Sequence, residues 1–432
     1  MSGPRAEVLA IGDELVHGSA VDTNSAWLAR QLEDLGIAVV RFTVVSDTPA
    51  ELDRALGQAC ARADLVVATG GLGPTEDDRT RHAAAAAAGV GLAFDPASWA
   101  TIEAWFAARG RAAGEDNRRQ ALVPAGGVAL PNRWGTAPGL RLGIGRCTLF
   151  ALPGVPAEMR AMFEHCVVPG LRELFAARLN PVVHRTLNVL GPTEAALGAR
   201  LEDVMAAVEG PVRVGITAHF GLLRVRIAAT AADRESAAAA ADAMADRLRP
   251  RLGEELVYEG DQSLAERVLA ELREQGATVA TAESCTGGLC AKVLTDLPGA
   301  SEVFVGGIVC YANRSKVRDL GVPADLIEAQ GAVSEPVAAA LARGAAERFG
   351  AGFGLGITGI AGPDGGTADK PVGTVCFGLH ARGSTRSWRR RIAPVSREFV
   401  RERSVFEALA ALLRALREDP VPGEPGPPSP AR

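Results

Sequence analysis

Lysine is almost missing from this sequence. Of 46 basic residues only Lys292, Lys316 and Lys370 are lysines, and tyrosine is as scarce, with Tyr258 and Tyr311 alone. A chain so biased towards arginine has replaced lysine wherever either cation serves. The lysines left are candidates for work that needs a compact amine able to lose its proton, which arginine cannot do; chance retention is the competing reading for each. There is no excess of positive charge either, since 51 acidic residues against 46 basic ones give a net charge of −5. Direct nucleic-acid contact is therefore not expected, because it needs a basic footprint. The seven cysteines (Cys60, Cys147, Cys166, Cys285, Cys290, Cys310, Cys376) are odd in number and scattered, with no C-x-x-C or H-x-x-x-H pair. Neither a disulfide framework nor a structural zinc site follows from them. The longest uncharged apolar stretches, near 83–94 and 351–363, are rich in Ala or Gly and too short to span a bilayer. The opening Met1–Glu7 lacks the charged-then-apolar layout of a signal peptide. A soluble, cytoplasmic protein without a membrane partner is expected.

What is present is length and alternation. At roughly 100–200 residues per domain, 432 residues make two to four domains. Strands over 6–12, 39–45, 64–69 and 148–152 alternate with helical periodicity over 23–35, 51–61 and 156–168. That order predicts a parallel sheet covered by helices on both faces. From 184 the texture changes to β-α-β-β-α: strands over 184–190, 212–218 and 222–230, with helices over 193–209 and 231–248. This is a small α+β, KH-like module whose strands carry Arg213, Arg224 and Arg226, but the Gly-x-x-Gly loop of an RNA-binding module is missing. A helix over 263–274 and a strand over 276–280 open the last α/β domain. The expected boundaries are 1–170, 171–258 and 259–419, followed by a Pro-rich, disordered tail over 420–432.

Three constellations could carry chemistry. The first is Thr69-Gly70-Gly71-Leu72-Gly73-Pro74 followed by Asp77-Asp78-Arg79-Thr80. Glycines straight after a buried strand let backbone N–H groups approach a phosphate at a helix start. The aspartates would repel that anion unless a hard cation such as Mg²⁺ bridged them. Asp47, at the end of another strand, adds a carboxylate at the same edge. The competing reading is a strand-to-helix turn with helix-capping acids.

The second constellation is Glu283-Ser284-Cys285-Thr286-Gly287-Gly288 with Cys310-Tyr311-Ala312-Asn313-Arg314-Ser315-Lys316. A serine after a strand, opening a helix, has free N–H groups beside it and can be a nucleophile with its oxyanion hole. It is equally a good N-cap. One of the few lysines and one of the two tyrosines stand close together behind an apolar strand. Lys316 could accept the serine proton if its pKa is held down, and a serine–lysine pair is a known variant of the hydrolytic triad. Tyr311 could relay the proton or orient the pair, and Cys285 is a rival nucleophile. The third is the loop Thr358-Gly359-Ile360-Ala361-Gly362-Pro363-Asp364-Gly365-Gly366, which can wrap a phosphate or sugar or simply join two strands.

Together with Gly12-Asp13-Glu14-Leu15, Asn117-Arg118-Arg119-Gln120-Ala121, Leu130-Pro131-Asn132, Gly135-Thr136-Ala137-Pro138-Gly139, Leu152-Pro153-Gly154 and Gly331-Ala332-Val333-Ser334-Glu335-Pro336, these motifs resemble the competence/damage-inducible CinA family. The resemblance covers most of the chain in the family's own domain order. Val155 departs from it, where the family carries proline in a turn. It implies an N-terminal molybdopterin-binding-like three-layer domain, associated in the family with ADP-ribose hydrolysis. Asp47, Gly70, Gly71, Gly73, Asp78 and Thr80 would form that site, with a divalent metal (Mg²⁺ or similar) at Asp47 and Asp78. The same fold also binds molybdopterin or transfers adenylyl groups. The resemblance further implies a C-terminal nicotinamide mononucleotide deamidase that needs no cofactor. Ser284, Lys316 and Tyr311 would be catalytic, and Thr286, Gly287, Gly288, Thr358, Gly359 and Gly362 would bind substrate. A homodimer is expected from the fold type. The alternative from another class is a non-enzymatic competence or DNA-damage accessory protein, or a ligand sensor.

Overall fold

The structure, a computed structural model, describes residues 3–206 and 210–418. The tail expected over 420–432 and the end of the helix expected over 193–209 lie outside the described residues. The chain forms two compact units, Met1–Val183 with Ala229–Ala239, and His184–Ala228 with Ala240–Arg432. Among the described residues no helix is long and apolar enough to cross a membrane.

In the first unit the strands are β1 (Arg5–Ile11), β2 (Ala38–Val45), β3 (Leu65–Thr69), a short separate pair β4 (Leu92–Phe94) and β5 (Leu122–Pro124), then β6 (Val128–Leu130), β7 (Gly139–Ile144) and β8 (Cys147–Leu152). The main sheet runs β2-β1-β3-β8-β7-β6. Because both of their faces are covered, central β3 is apolar up to Thr69 and β1 is apolar from Val8 on, with the buried Glu7 paired to Arg62. Leu9, Ile11, Val66 and Ala68 pack with Leu52 and Leu56 of the helix Pro49–Arg62. Ala6, Val8, Leu65 and Val67 point the other way, onto Leu28 and Leu32 of the helix Thr23–Asp34 and Met159 of the helix Pro156–Met162. This alternation builds the three layers. The sheet is mixed rather than parallel throughout: β1, β2, β3 and β8 run parallel, while β7 and β6 add antiparallel. The reversal is made by the two-residue loop Gly145-Arg146 between paired Ile144 and Cys147, with Gly145 at φ 58°.

The second unit holds two sheets. Strands β9 (Val182–Leu190), β10 (Val212–His219), β11 (Leu222–Thr230) and β12 (Leu256–Glu259) pair in the order β10-β11-β9-β12. With the helices Glu194–Ala206 and Arg234–Leu252 they give the β-α-β-β-α order read from the sequence. Strands β13 (Val279–Glu283), β14 (Phe304–Val309), β15 (Phe353–Gly359), β16 (Thr374–Ala381) and β17 (Ser384–Arg391) form a second sheet ordered β14-β13-β15-β16-β17. The strand expected over 276–280 starts later, because Gly276 sits at φ 60° and its N–H closes the preceding helix on the Arg273 carbonyl. β13 ends at Glu283, so Ser284 lies at the C-terminal end of this central strand. The long helices Glu335–Phe349 and Arg397–Arg417 pack against this sheet.

Candidate active site

Strand β13 is buried along its whole length between β14 and β15. Ser284 leaves it with its N–H on the Ile357 carbonyl at 2.9 Å. The following helix begins only at Leu289, with Gly288 as N-cap at φ 91° and Gly287 at φ 62°. Ser284 therefore neither opens nor caps that helix. The buried Glu283 carboxylate does so instead, accepting the N–H groups of Cys290 at 3.0 Å and Ala291 at 2.8 Å. The Ser284 hydroxyl is left for other work. In the turn, Gly287 N–H bonds the Ser284 carbonyl at 3.1 Å. Among the described residues the N–H groups of Cys285, Thr286 and Gly288 find no backbone acceptor. They are the turn's candidate donors to an oxyanion, and the Cys285 and Thr286 N–H groups also lie within reach of the Cys285 thiol.

Lys316 reaches this serine from the helix Asn313–Leu320. Its side chain is 1 % exposed, with Nζ 3.1 Å from Ser284 Oγ, 2.7 Å from the Cys310 carbonyl and 3.3 Å from the Tyr311 carbonyl. Burial pushes its pKa below the ordinary lysine value. A neutral amine has two N–H groups and one lone pair. Two of its three partners are carbonyls and can only accept, so in the neutral form both N–H groups would go to them and the lone pair would face the Ser284 hydroxyl, whereas the charged form donates to all three.

Tyr311 takes a different place from the one expected. Its side chain is 61 % exposed, its hydroxyl accepts from Arg397 Nη2 at 3.0 Å, and only its carbonyl meets Lys316. A proton relay through the phenol does not fit this arrangement. Cys285 is buried and its thiol is pushed up to about 12, burial being the first cause and the Glu283 carboxylate a further one. It stays a thiol at neutral pH and is a poor rival to Ser284.

The other expected substrate contacts divide. Thr286 lies fully buried, its Oγ1 has no partner among the described residues, and its carbonyl is held by Arg401. Thr358 is also buried, and its hydroxyl is committed to the Ala332 carbonyl at 2.8 Å, so it shapes the loop before the helix Glu335–Phe349. Gly359 is tight against β16, where a Cβ would fall 2.8 Å from Val375 Cγ2. The Gly362 carbonyl accepts from Arg397 Nη1 at 2.6 Å. Arg397 and Arg401 were missed by sequence reasoning. The signal was there: cations in the opening turns of a helix run against its dipole and need another reason to be placed there.

In the first unit, the ends of β1, β2, β3 and β8 border a cleft of about 420 Å³. It brings together Asp47, Gly70, Gly71, Gly73 and Asp78. Gly70, at φ 105°, passes so close to β1 that a Cβ would fall 2.1 Å from the Ile11 carbonyl oxygen. Thr80 does not line the cleft; it is buried behind it, donating from Oγ1 to the Gly70 carbonyl at 2.8 Å. The aspartates do not cap the next helix, whose N-cap is Arg79 with no side-chain bond. Asp78 accepts from Thr75 N at 2.8 Å, and Asp47 and Asp13 accept each other's backbone N–H at 3.0 and 3.2 Å.

Glu14, Asp77 and Glu158 complete an acidic lining that, among the described residues, holds no Arg, Lys or His. Glu158 is fixed by Asn132 Nδ2 at 2.7 Å. Burial, then Asp13, Asp77 and Glu14, push the Asp47 carboxyl above its usual range. Among the described residues no three metal-binding side chains converge into a cage. The donor set fits instead a hard cation held by one or two carboxylates and completed by phosphate oxygens and water. Asp47 and Asp78 are the carboxylates that would hold it.

Comparison with known proteins covers nearly the whole chain. Residues 7–173 match a probable molybdopterin binding domain, 184–257 the KH domain of damage-inducible protein CinA, and 261–416 the CinA C-terminal domain. A competence-damage inducible protein of Symbiobacterium thermophilum is 45 % identical over 420 residues, covering 95 % of this chain and 98 % of its own. A CinA-like protein of an Anaeromyxobacter species is 44 % identical over 416 residues, with 95 % and 99 % covered. Among solved structures, a competence/damage inducible protein from Agrobacterium tumefaciens is 42 % identical over 36 % of this chain and 94 % of its own, at a TM-score of 0.35.

Proposed function

The chain belongs to the CinA family, and on that premise we propose that its C-terminal domain hydrolyses the carboxamide of nicotinamide mononucleotide to nicotinic acid mononucleotide and ammonia. The observation that carries this reading is the buried Lys316 amine, with Nζ 3.1 Å from Ser284 Oγ. Ser284 Oγ attacks the amide carbon as its proton passes to Lys316 Nζ. The turn N–H groups of Cys285, Thr286 and Gly288 stabilise the oxyanion. Collapse breaks the C–N bond, Lys316 returns the proton to the leaving ammonia, and water then cleaves the acyl-serine with Lys316 again as base. No step needs a metal.

For the N-terminal cleft the reading is hydrolysis of ADP-ribose, supported by glycines that admit a pyrophosphate and by carboxylates suited to its divalent cation. When bound, that cation would neutralise phosphate charge. Asp47 and Asp78 would hold it, and the backbone of Gly70, Gly71 and Gly73 would take the phosphates. A cytoplasmic homodimer completes the proposal. The exposed apolar side chains Val40, Phe42 and Val44 on the outermost strand β2 are consistent with self-association.

The test is incubation of the full chain with nicotinamide mononucleotide, without added metal, following ammonia and nicotinic acid mononucleotide. Turnover by wild type that disappears in Ser284→Ala and Lys316→Arg supports the deamidase. Full activity in Ser284→Ala sinks the mechanism. No turnover by wild type would favour the accessory or sensing role.

A further inference from the structure

The helix Arg397–Arg417 reaches three segments around the serine–lysine site. Arg401 donates from Nε and Nη2 to the Thr286 carbonyl at 3.2 and 2.6 Å, in the turn that carries Ser284. Arg397 donates to the Tyr311 hydroxyl at 3.0 Å and to the Gly362 carbonyl at 2.6 Å. One helix thus ties the nucleophile turn, the segment leading to Lys316 and the glycine-rich loop together. Both arginines lie in its opening turns, where a helix frays unless something packs on it.

Something does. The tip of the β10–β11 hairpin, from the middle module, lies on Phe399, Arg403 and Phe406 of the same helix. The Phe220 ring is 6.2 Å from that of Phe399, and the His219 ring is 6.2 Å from that of Phe406. Gly221 packs so close that a Cβ would fall 2.8 Å from Arg403 Cδ. Phe220 reaches its place at φ 45°, a left-handed conformation that side chains adopt only when their surroundings hold them there. At about 100° per residue, Arg397 and Arg401 share one face, and Phe399, Arg403 and Phe406 fall roughly opposite. The opening of the helix is held between the site loops on one side and the hairpin on the other.

We propose that the β10–β11 hairpin tip is a positioning element for the C-terminal nucleophile, acting through Arg401 and Arg397 on the turn of Ser284 and the loops around Lys316. The inference rests on the serine–lysine reading of that site. It gives the middle module a mechanical task that the missing Gly-x-x-Gly loop leaves open.

The experiment uses the full chain and a fluorophosphonate probe, so it does not depend on the identity of the substrate. Ser284 Oγ forms a bond to phosphorus, the P–F bond breaks, fluoride leaves, and the serine proton passes to Lys316; mass spectrometry reads the adduct on Ser284. Arg401→Ala should slow labelling about tenfold, since a misplacement of about 1 Å can cost about 100-fold and a smaller one correspondingly less. Phe220→Ala should slow it several-fold, and Phe220→Leu should recover most of the loss by restoring the packing. The double variant should label no slower than Arg401→Ala alone, because both changes act through one link. Wild-type labelling rates in Phe220→Ala and Arg401→Ala, whatever happens to Tm, overturn the proposal and leave the nucleophile reading intact. Additive losses in the double variant also overturn it. Failure of the wild type to label at Ser284 removes the nucleophile itself, and the inference falls with it.

Discussion

Replacing Lys316 by methionine separates the chemical role of the amine from its structural one. The two side chains are similar in length and volume, so no cavity opens at this 1 % exposed position. What is lost is the N–H pairing with the Cys310 and Tyr311 carbonyls at 2.7 and 3.3 Å and the contact with Ser284 Oγ at 3.1 Å. Two orphaned carbonyls cost about 1–3 kcal/mol each at most, and removing a buried amine returns part of that. The variant should therefore fold, within about 2 kcal/mol of wild type. Activity should behave otherwise: loss of the general base is worth about 10²–10⁴ in rate, or roughly 2.7–5.5 kcal/mol at the transition state.

The pH dependence of Lys316 has a definite sign. Burial lowers its folded pKa below the unfolded value, so the unfolded chain binds more protons between the two. The charged lysine opposes folding below its folded pKa, and this opposition is relieved as pH rises through the window up to the ordinary lysine value. Over its lower part, kcat/KM of wild type should rise with pH as the base loses its proton. In Lys316→Met both dependences should vanish together. Release of ammonia from nicotinamide mononucleotide, measured across pH beside thermal unfolding, reads both. A methionine variant within threefold of wild type, or one that keeps the pH-dependent limb, would refute the assignment of Lys316 as base.

Cys285→Ala should keep activity within about threefold, because a thiol pushed up to about 12 supplies almost no thiolate at neutral pH; turnover lost in this variant would make the cysteine the nucleophile. Glu283→Gln should lower stability by about 1–2 kcal/mol, the worth of a helix cap, since its carboxylate alone receives the N–H groups of Cys290 and Ala291; an unchanged Tm with lost turnover would assign it a catalytic part instead. Mg²⁺ should raise the Tm of wild type, while Asp78→Asn should fold and show a reduced shift, read by scanning calorimetry with and without the ion. Equal shifts in the two proteins would take Asp78 out of the cation site.

The juxtaposition of Ser284 and Lys316 was legible because scarcity marked it: among so many arginines, a lysine behind an apolar strand stands out, and a serine between a strand and two glycines defines a turn. Of the two roles read for Tyr311, orienting the pair fits its carbonyl contact while a relay through the phenol does not, because chain proximity says nothing about direction. Its carbonyl faces Lys316 while its phenol turns outward to Arg397. Arg397 and Arg401 stayed hidden for a related reason, since Arg401 lies 115 residues from its partner Thr286 and only the sheet order brings them together. In the first unit, β6 and β7 were missed because β6 is short and β7 opens on a glycine, so neither shows a long apolar period, and the mixed sheet followed from a two-residue turn. Thr80, read as a ligand contact, is a latch holding Gly70 in its bend.

The two candidate sites run on opposite electrostatics, and that difference decides how to tell their activities apart. At Ser284 the protein disfavours charge: the proposed base is a buried amine whose charged form burial opposes, and the proposed donors to the oxyanion are uncharged backbone N–H groups. Such a site gains nothing from a divalent ion and is weakly screened by salt. In the N-terminal cleft the protein concentrates charge of one sign, with Glu14, Asp47, Asp77, Asp78 and Glu158 around one cavity and no cation among them. An isolated anionic pyrophosphate would be repelled there, so binding has to bring a cation along. A chelator should therefore abolish ADP-ribose hydrolysis and leave ammonia release untouched in one and the same preparation. Loss of both would mean that the serine site also depends on an ion, against the neutral-amine mechanism; persistence of both would mean that the carboxylates of the cleft do not work through one.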